Sequence, residues 1–333
     1  MSALSSFRRR LMAGAYPKEQ PNYLCFTALE SGTFTFTIGA NVTISDIDYV
    51  EFSVNDGATW VKTKNIANSI VTITTPTIAG GNKVLWRGNG TRISVKDNNG
   101  SFSSFSSTCL FEVSGNPMSL LFNNFNKVKS NTTQYLLADL FRECQTIMSA
   151  YDMELTLETI GSYCYSYMFY QCYNIEYVPK KCNCINANAY SFNGYNWVTN
   201  ANPKLKNITD ISLIKSIGSY TFSRMYQNNK NIESSVCLNF QSTGSNSLFY
   251  MFYGCSKINY IHCMLLGNIT NLSGAFQSVA STGIFVKHID AAWEVTGNNG
   301  VPTNWTIIYY DPTTDKYYLS DKTTECDDHG NPI

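Results

Sequence analysis

The sequence predicts a mainly β protein, with an N-terminal β-sandwich followed by a short, irregular solenoid. Three observations carry that expectation. Residues 23–115 alternate apolar and polar side chains with period two, interrupted by Asp-Gly and Asn-Gly pairs. From about residue 135 onward, one block of sequence recurs at intervals of 23–30 residues. Charged residues make up only 14% of the chain, against 44% hydrophobic residues and 14% aromatics, led by 22 Tyr and 19 Phe. A core can therefore form, while Asn, Ser and Thr supply the polarity, a balance closer to structural or adhesive β proteins than to metabolic enzymes. The 24 basic and 24 acidic residues cancel, so the basic footprint of a nucleic-acid or anionic-membrane binder is missing. No run approaches the roughly 18 apolar residues that would span a bilayer.

Residues 1–22 read as an N-terminal docking arm. Leu4, Phe7 and Leu11 fall on one face of a short helix, Arg8, Arg9 and Arg10 fan around the others, and Pro17 and Pro21 impose an extended linker. Gly14, Tyr16, Pro17 and Lys18 cut the apolar run too short for a secretory leader, so assembly in a cytoplasm is expected. Strands are expected at 34–38, 50–54, 70–74, 84–86, 92–95 and 109–113. Asp56-Gly57, Asn89-Gly90 and Asn99-Gly100 are the hairpin candidates between them. Together these make a sandwich over 23–115. Ser53-Val-Asn-Asp-Gly-Ala-Thr-Trp60 resembles the Asp-box of sialidases, with Asn55 in the acidic position. That likeness implies a structural hairpin turn, not a catalytic site.

Residues 116–290 form the repeat region, and 291–333 a C-terminal cap. Ile160-Gly-Ser-Tyr-Cys-Tyr-Ser-Tyr-Met-Phe-Tyr-Gln-Cys172 recurs from Ile217 and again from Gly244, and Leu140-Phe-Arg-Glu-Cys144 is an earlier copy. Cys144, Cys172 and Cys255 share one repeat position, which Asn229 takes in another copy. A degenerate unit lies near 191–198, and Phe276 marks a last, worn one. The Tyr250-Met-Phe-Tyr-Gly-Cys-Ser-Lys-Ile258 block resembles the BspA-like leucine-rich repeat, which implies a leucine-rich-repeat-like solenoid. The start of the chain, Tyr23–Glu30, Ser53–Trp60 and Trp305–Tyr318 resemble virion proteins of tailed phages and prophages of gut Bacteroidales, of the crAss-like type. That resemblance implies a structural virion protein, a head fibre or capsid-surface appendage. It would dock to other virion proteins as a homo-oligomer (dimer or trimer) and project its repeats toward a host surface. A tail-borne receptor-binding fibre and a bacterial BspA-type adhesin are the alternatives.

Little in the sequence points to catalysis, a cofactor or a metal. Only His262, His288 and His329 could serve an acid-base or nucleophilic device. His262 adjoins Cys263, but neighbours along a strand face opposite ways. Cys182-Asn-Cys184 lacks the spacing of a metal pair. Asp327, Asp328 and His329 offer donors on a polar tail. Asp139, Asp152, Glu154 and Glu158 cluster in sequence without defining a cleft. The 11 Cys are read as free thiols in packed positions. What remains is recognition, of a host-surface glycan or protein. Tyr163, Tyr165, Tyr167, Tyr170 and Tyr173 crowd one unit, and strand alternation would put Met168 and Tyr170 on one face and Tyr167 and Phe169 on the other. Tyr170 and its repeat equivalent Tyr253 are the candidate contact residues.

Overall fold

A computed structural model describes residues 22–64, 71–95, 102–199, 202–233, 237–266, 272–293, 296–297 and 299–333. The expected docking residues Leu4, Phe7, Arg8, Arg9, Arg10 and Leu11, and the Asn99-Gly100 pair, lie outside them. The fold is the one the sequence predicts, a mainly β chain of N-terminal sheets followed by a β-solenoid of about seven coils across 130–310. Among the described residues no helix is long and apolar enough to cross a membrane.

The sandwich is built from β1 (Leu24–Ala28), β2 (Phe34–Ile38), β3 (Ile47–Ser53), β4 (Val61–Lys64), β5 (Val71–Thr74), β6 (Lys83–Gly90), β7 (Ser104–Ser107) and β8 (Phe111–Gly115). After β9 (Ser130–Asn131), the first coil contributes β10 (Ile147–Met153), which joins β8 in parallel and gives one sheet the order β10-β8-β1-β6-β3-β4. The facing sheet is β5-β2-β7. Period two works as expected here. In β2, Phe34, Phe36 and Ile38 are buried while Thr35 and Thr37 are partly exposed. Phe26 of one sheet meets Phe34 and Phe105 of the other at 5.4 and 4.7 Å between ring centroids.

The Asp56-Gly57 turn has positive φ at both residues (53° and 82°), the type I′ geometry that suits a tight hairpin. Asn55 Oδ1 accepts from the Thr59 N–H at 3.0 Å, and Trp60 packs on Tyr23 at 5.1 Å. Two local expectations fail. Asn89-Gly90 is the end of β6, paired with β3, because the Asp46 backbone runs too close to Gly90 for any side chain there. Residues 92–95 are not a strand. Their polar groups turn instead to the first coil of the solenoid: the Ile93 N–H reaches Leu136 O at 3.0 Å, and Ser94 Oγ reaches Ala138 O at 3.0 Å.

The solenoid carries two lines of short parallel strands. One comprises β9, β11 (Thr159–Ile160), β12 (Asn186–Ala187), β13 (Ser216–Ile217) and β15 (Ser242–Thr243). The other runs through β14 (Cys237–Leu238), β16 (Tyr260–Cys263), β17 (Ile284–His288) and β18 (Thr306–Asp311), so coils continue past residue 290. Antiparallel β19 (Lys316–Tyr318) and β20 (Glu325–Cys326) then close that sheet with a two-residue edge strand, too short to template pairing with another chain.

The third side of each coil is a ribbon of consecutive turns. In the second coil, Tyr163, Tyr165, Tyr167, Phe169 and Gln171 donate their N–H groups to residues 189, 191, 193, 195 and 197 of the next coil. The residues between them donate back three positions, as Ser166 does to Tyr163 O and Met168 to Tyr165 O. Every fourth residue is left-handed: Tyr163, Tyr167 and Gln171 have φ of 60°, 53° and 59°, and Tyr220, Arg224 and Asn228 repeat the pattern. Four-residue periodicity replaces the strand alternation expected here. Met168 and Phe169 are both fully buried, whereas Tyr167 and Tyr170 are both half-exposed.

The sandwich caps this ribbon. The first coil's carbonyls at 136, 138 and 140 accept from Ile93, Ser94 and Phe105, so the ladder end that would face solvent is satisfied. The two parts also share one core. Phe141 touches Phe26 and Phe105 at 5.8 Å each and stacks on Phe169 at 5.5 Å, from which rings continue through Tyr195, Tyr226, Phe252 and Phe276.

Candidate recognition surface

Most left-handed residues of the ribbon face outward, with Asp139 and Gln171 buried as exceptions, and the same ribbon position recurs on successive coils. Aromatic side chains placed there therefore come into register. Tyr135, Tyr163, Tyr190 and Tyr220 form a stack with centroids 4.6, 4.7 and 5.0 Å apart and planes within 12° of parallel. Asn246 ends the ladder by donating Nδ2 to Tyr220 Oη at 2.8 Å. At the next left-handed position, Tyr167 lies flat over Gly194, where a Cβ would sit 2.5 Å from its ring. Tyr250 lies over Gly274 in the same way. Small residues beneath large rings are thus part of the surface's construction.

Beside the tyrosine stack runs a second line, alternating aromatic rings with arginine. The Arg142 guanidinium lies 4.8 Å from the Phe102 ring, 4.7 Å from Tyr170 and 5.4 Å from Tyr167. Tyr170 meets Trp197 edge-on at 5.4 Å. Arg224 follows, 4.8 Å from Trp197 and 5.6 Å from Phe249. Phe249, Tyr250 and Tyr253 complete the line with centroid separations of 4.1 and 5.0 Å. Its members from Arg142 to Tyr253 are half-exposed and span five coils. Both candidate residues, Tyr170 and Tyr253, belong to it, at corresponding ribbon positions toward its two ends. The sequence did not point to Arg142, Trp197, Arg224 or Phe249. Their signal was the four-residue spacing, which keeps ribbons of coils of different length in phase: Arg224 falls level with Gly194, and its side chain reaches Trp197.

The two arginines differ in charge environment. Arg142 donates to Asp139 at 2.9 Å and approaches Glu143 at 3.4 Å. Its burial alone would favour the neutral form, but the bonds to Asp139 and then Glu143 outweigh it and push its pKa up. Arg224 has no carboxylate or other protein acceptor among the described residues, and its Nε is buried without a partner. Trp197 Nε1 and Gln227 Oε1 are unpartnered as well.

The remaining candidates assemble no reactive constellation among the described residues. Asp139 is buried on the ribbon, whereas Asp152, in β10, and Glu154 line one shallow groove with Lys180 and Lys181, and Glu158 follows along the chain. His262 and Cys263 do point apart along β16, with Cys263 buried. A groove of about 470 Å³ is lined in part by Cys237, His262, His288 and Tyr310. Burial lowers the His262 pKa and raises the Cys237 thiol, so the pair starts as neutral imidazole and protonated thiol. Cys182 and Cys184 are interior, and all 11 cysteines are free. Donor atoms of Asp327, Asp328 and His329 lie within 4.8 Å of one another. Asp327 is committed to its own turn, accepting from the His329 and Asn331 N–H groups at 2.9 and 2.8 Å. No protein family, curated protein or solved structure matches the chain.

Proposed function

We propose that this chain is a non-enzymatic structural protein of a tailed-phage virion, a head fibre or capsid-surface appendage. Its N-terminal region docks to other virion proteins, and its solenoid presents the turn ribbon to a host surface. The observation that carries the reading is the half-exposed aromatic-arginine line, held in register across five hydrogen-bonded coils. Rings fixed this way lose little conformational entropy on contact, which suits them to sugar faces or a partner's apolar surface. Weak single contacts of this kind gain from multiplicity, in keeping with a dimer or trimer on a many-copy particle. The resemblance of the chain ends and the Ser53–Trp60 hairpin to virion proteins of gut Bacteroidales phages supports the setting.

A tail-borne receptor-binding fibre is the second reading, and the same line favours it. The C-terminal Ile333 is 85% exposed, so a density-carrying tag fused after it is accessible for imaging on purified particles. Label over the capsid is the expected result. Label confined to the tail selects the second reading, and unlabelled particles overturn both.

A further inference from the structure

We propose that Arg224 reads a carboxylate, and that the ligand of the ribbon is an extended acidic glycan. This rests on the reading of the aromatic-arginine line as a recognition surface and names the chemistry it recognises. The two arginines of the line make the argument by contrast. Arg142 is already neutralised by Asp139 and Glu143, so its task is internal. Arg224 occupies the second left-handed ribbon position, with φ of 55°, where Gly194 stands in the preceding coil and Tyr250 in the next. There it lies between Trp197 and Phe249 with no acceptor for its N–H groups among the described residues. Rings on either side hold the guanidinium in place and leave its forked donors uncommitted, the arrangement that favours bidentate pairing with a carboxylate.

The surroundings select a sugar acid over a free anion. Arg224 Nε is enclosed, as are Trp197 Nε1 and Gln227 Oε1, so the terminal nitrogens of the guanidinium are what a ligand meets. Tyr170 and Trp197, from successive coils and edge-on at 5.4 Å, lie on one side of the cation, and Phe249, Tyr250 and Tyr253 of a single coil lie on the other. A polymer that sets sugar faces on either side of an acid group matches that order: ring, cation, ring. An acidic peptide would satisfy the cation but not the succession of flat faces.

Calorimetric titration of the full chain with a galacturonate hexamer, its methyl ester and a glutamate hexamer tests the assignment. The acid hexamer is expected to bind at least about tenfold more tightly than the ester, the scale of a charge-assisted hydrogen bond. Arg224→Gln should remove that preference, so that acid and ester hexamers bind this variant alike. Equal binding of acid and ester overturns the role of Arg224 and leaves the recognition surface standing. A glutamate hexamer bound as tightly as the sugar acid overturns the glycan. If no hexamer binds, the glycan assignment fails. If Tyr170→Ala with Tyr253→Ala also leaves host adsorption unimpaired, the recognition surface fails with it.

Discussion

The sandwich and the solenoid bury the same kinds of side chain under different backbone rules. In the sandwich, alternation sends every second residue inward, and the outward positions of β2 are threonines. In the ribbon, pairs of adjacent residues turn inward every four: Cys164 and Tyr165, Met168 and Phe169, then Cys172. Left-handed residues such as Tyr163 and Tyr167 point out between these pairs, although Gln171 is buried, and hydrogen bonding to the next coil fixes each over its counterpart. The sandwich can present isolated rings at its surface, whereas the ribbon multiplies one ring into a line. Binding capacity is therefore expected to concentrate on the solenoid, with the sandwich acting as its cap.

Extremes of pH separate the two parts most strongly. Cys164, Cys172, Cys255 and Cys263 are fully buried in the solenoid, and burial pushes each thiol up from 9.0, Cys263 to about 12. Unfolded thiols ionise near their ordinary value while the folded ones stay protonated. Their contribution is thus complete below pH 9.0 and is lost as pH rises toward the raised values. Each thiol then costs about 1.4 kcal/mol per pH unit, so four remove about 5 kcal/mol per unit. Asp46 in the sandwich behaves oppositely. Burial raises its pKa, but the Thr43 and Arg92 bonds outweigh that and hold it below the usual carboxylate value. Its contribution is present above the unfolded value and lost as pH falls through the folded one. Urea midpoints under reducing conditions should fall steeply above about pH 9, and Asp46→Asn should flatten only the acid limb. A midpoint indifferent to pH between about 8 and 10.5 would contradict the thiol argument.

Glycine substitutions give the next largest contrast. Gly161, Gly218 and Gly244 open the ribbons, and at each the preceding coil passes too close for a side chain. A Cβ on Gly161 would lie 2.5 Å from the Thr132 carbonyl carbon, and one on Gly218 the same distance from the Ala189 nitrogen. Gly161→Ala should cost about 3 kcal/mol through overpacking against backbone that cannot move alone. At Gly81, in a sandwich turn, φ is +85° but nothing lies within 4 Å. Alanine there should cost only the left-handed strain of about 1–2 kcal/mol. Denaturant midpoints of the two variants check the order, and a Gly161→Ala protein as stable as Gly81→Ala would refute close approach as the reason for the repeated glycine.

How much of this was legible in the sequence depends on the same difference. The sandwich strands were readable because period two is a local signal, and they failed only where a partner intervened. Asn89-Gly90 was drawn into β6 by β3, and residues 92–95 were diverted to cap the first coil. The repeats were readable from Met168, Met225 and Met251 and from the cysteines. Asn229 keeps the cysteine's bond: its Nδ2 reaches Asn196 O at 2.6 Å, as Cys255 Sγ reaches Tyr226 O at 3.1 Å. Side-chain orientation was not readable with a strand rule, because left-handed Tyr, Asp and Gln residues break alternation without any glycine to announce it. The line through Arg142, Tyr170, Trp197 and Arg224 was hidden further, since it joins side chains from different positions of in-phase ribbons, as where Arg224 reaches Trp197.

The smallest effect is the most discriminating, because one substitution should change sign between the two regions. Glu143 is an exposed left-handed ribbon residue, with φ of 59°. Among the described residues its side-chain ion pair is a 3.4 Å approach to Arg142 at 62% exposure, worth little. Glycine at 143 keeps the backbone bond to Tyr170 O and removes left-handed strain of about 1–2 kcal/mol, against about 0.5–1 kcal/mol of added chain entropy. The net gain should be about 0.5–1 kcal/mol. Glu112 is an exposed strand residue of β8, paired with Thr27 and with Ser149 of β10. Glycine there has no strain to relieve, and its entropy should destabilise by about 0.5–1 kcal/mol. Denaturant midpoints of Glu143→Gly and Glu112→Gly should therefore move in opposite directions from the parent. If both fall, left-handed strain at the ribbon is not what sets its residues apart from those of the sandwich.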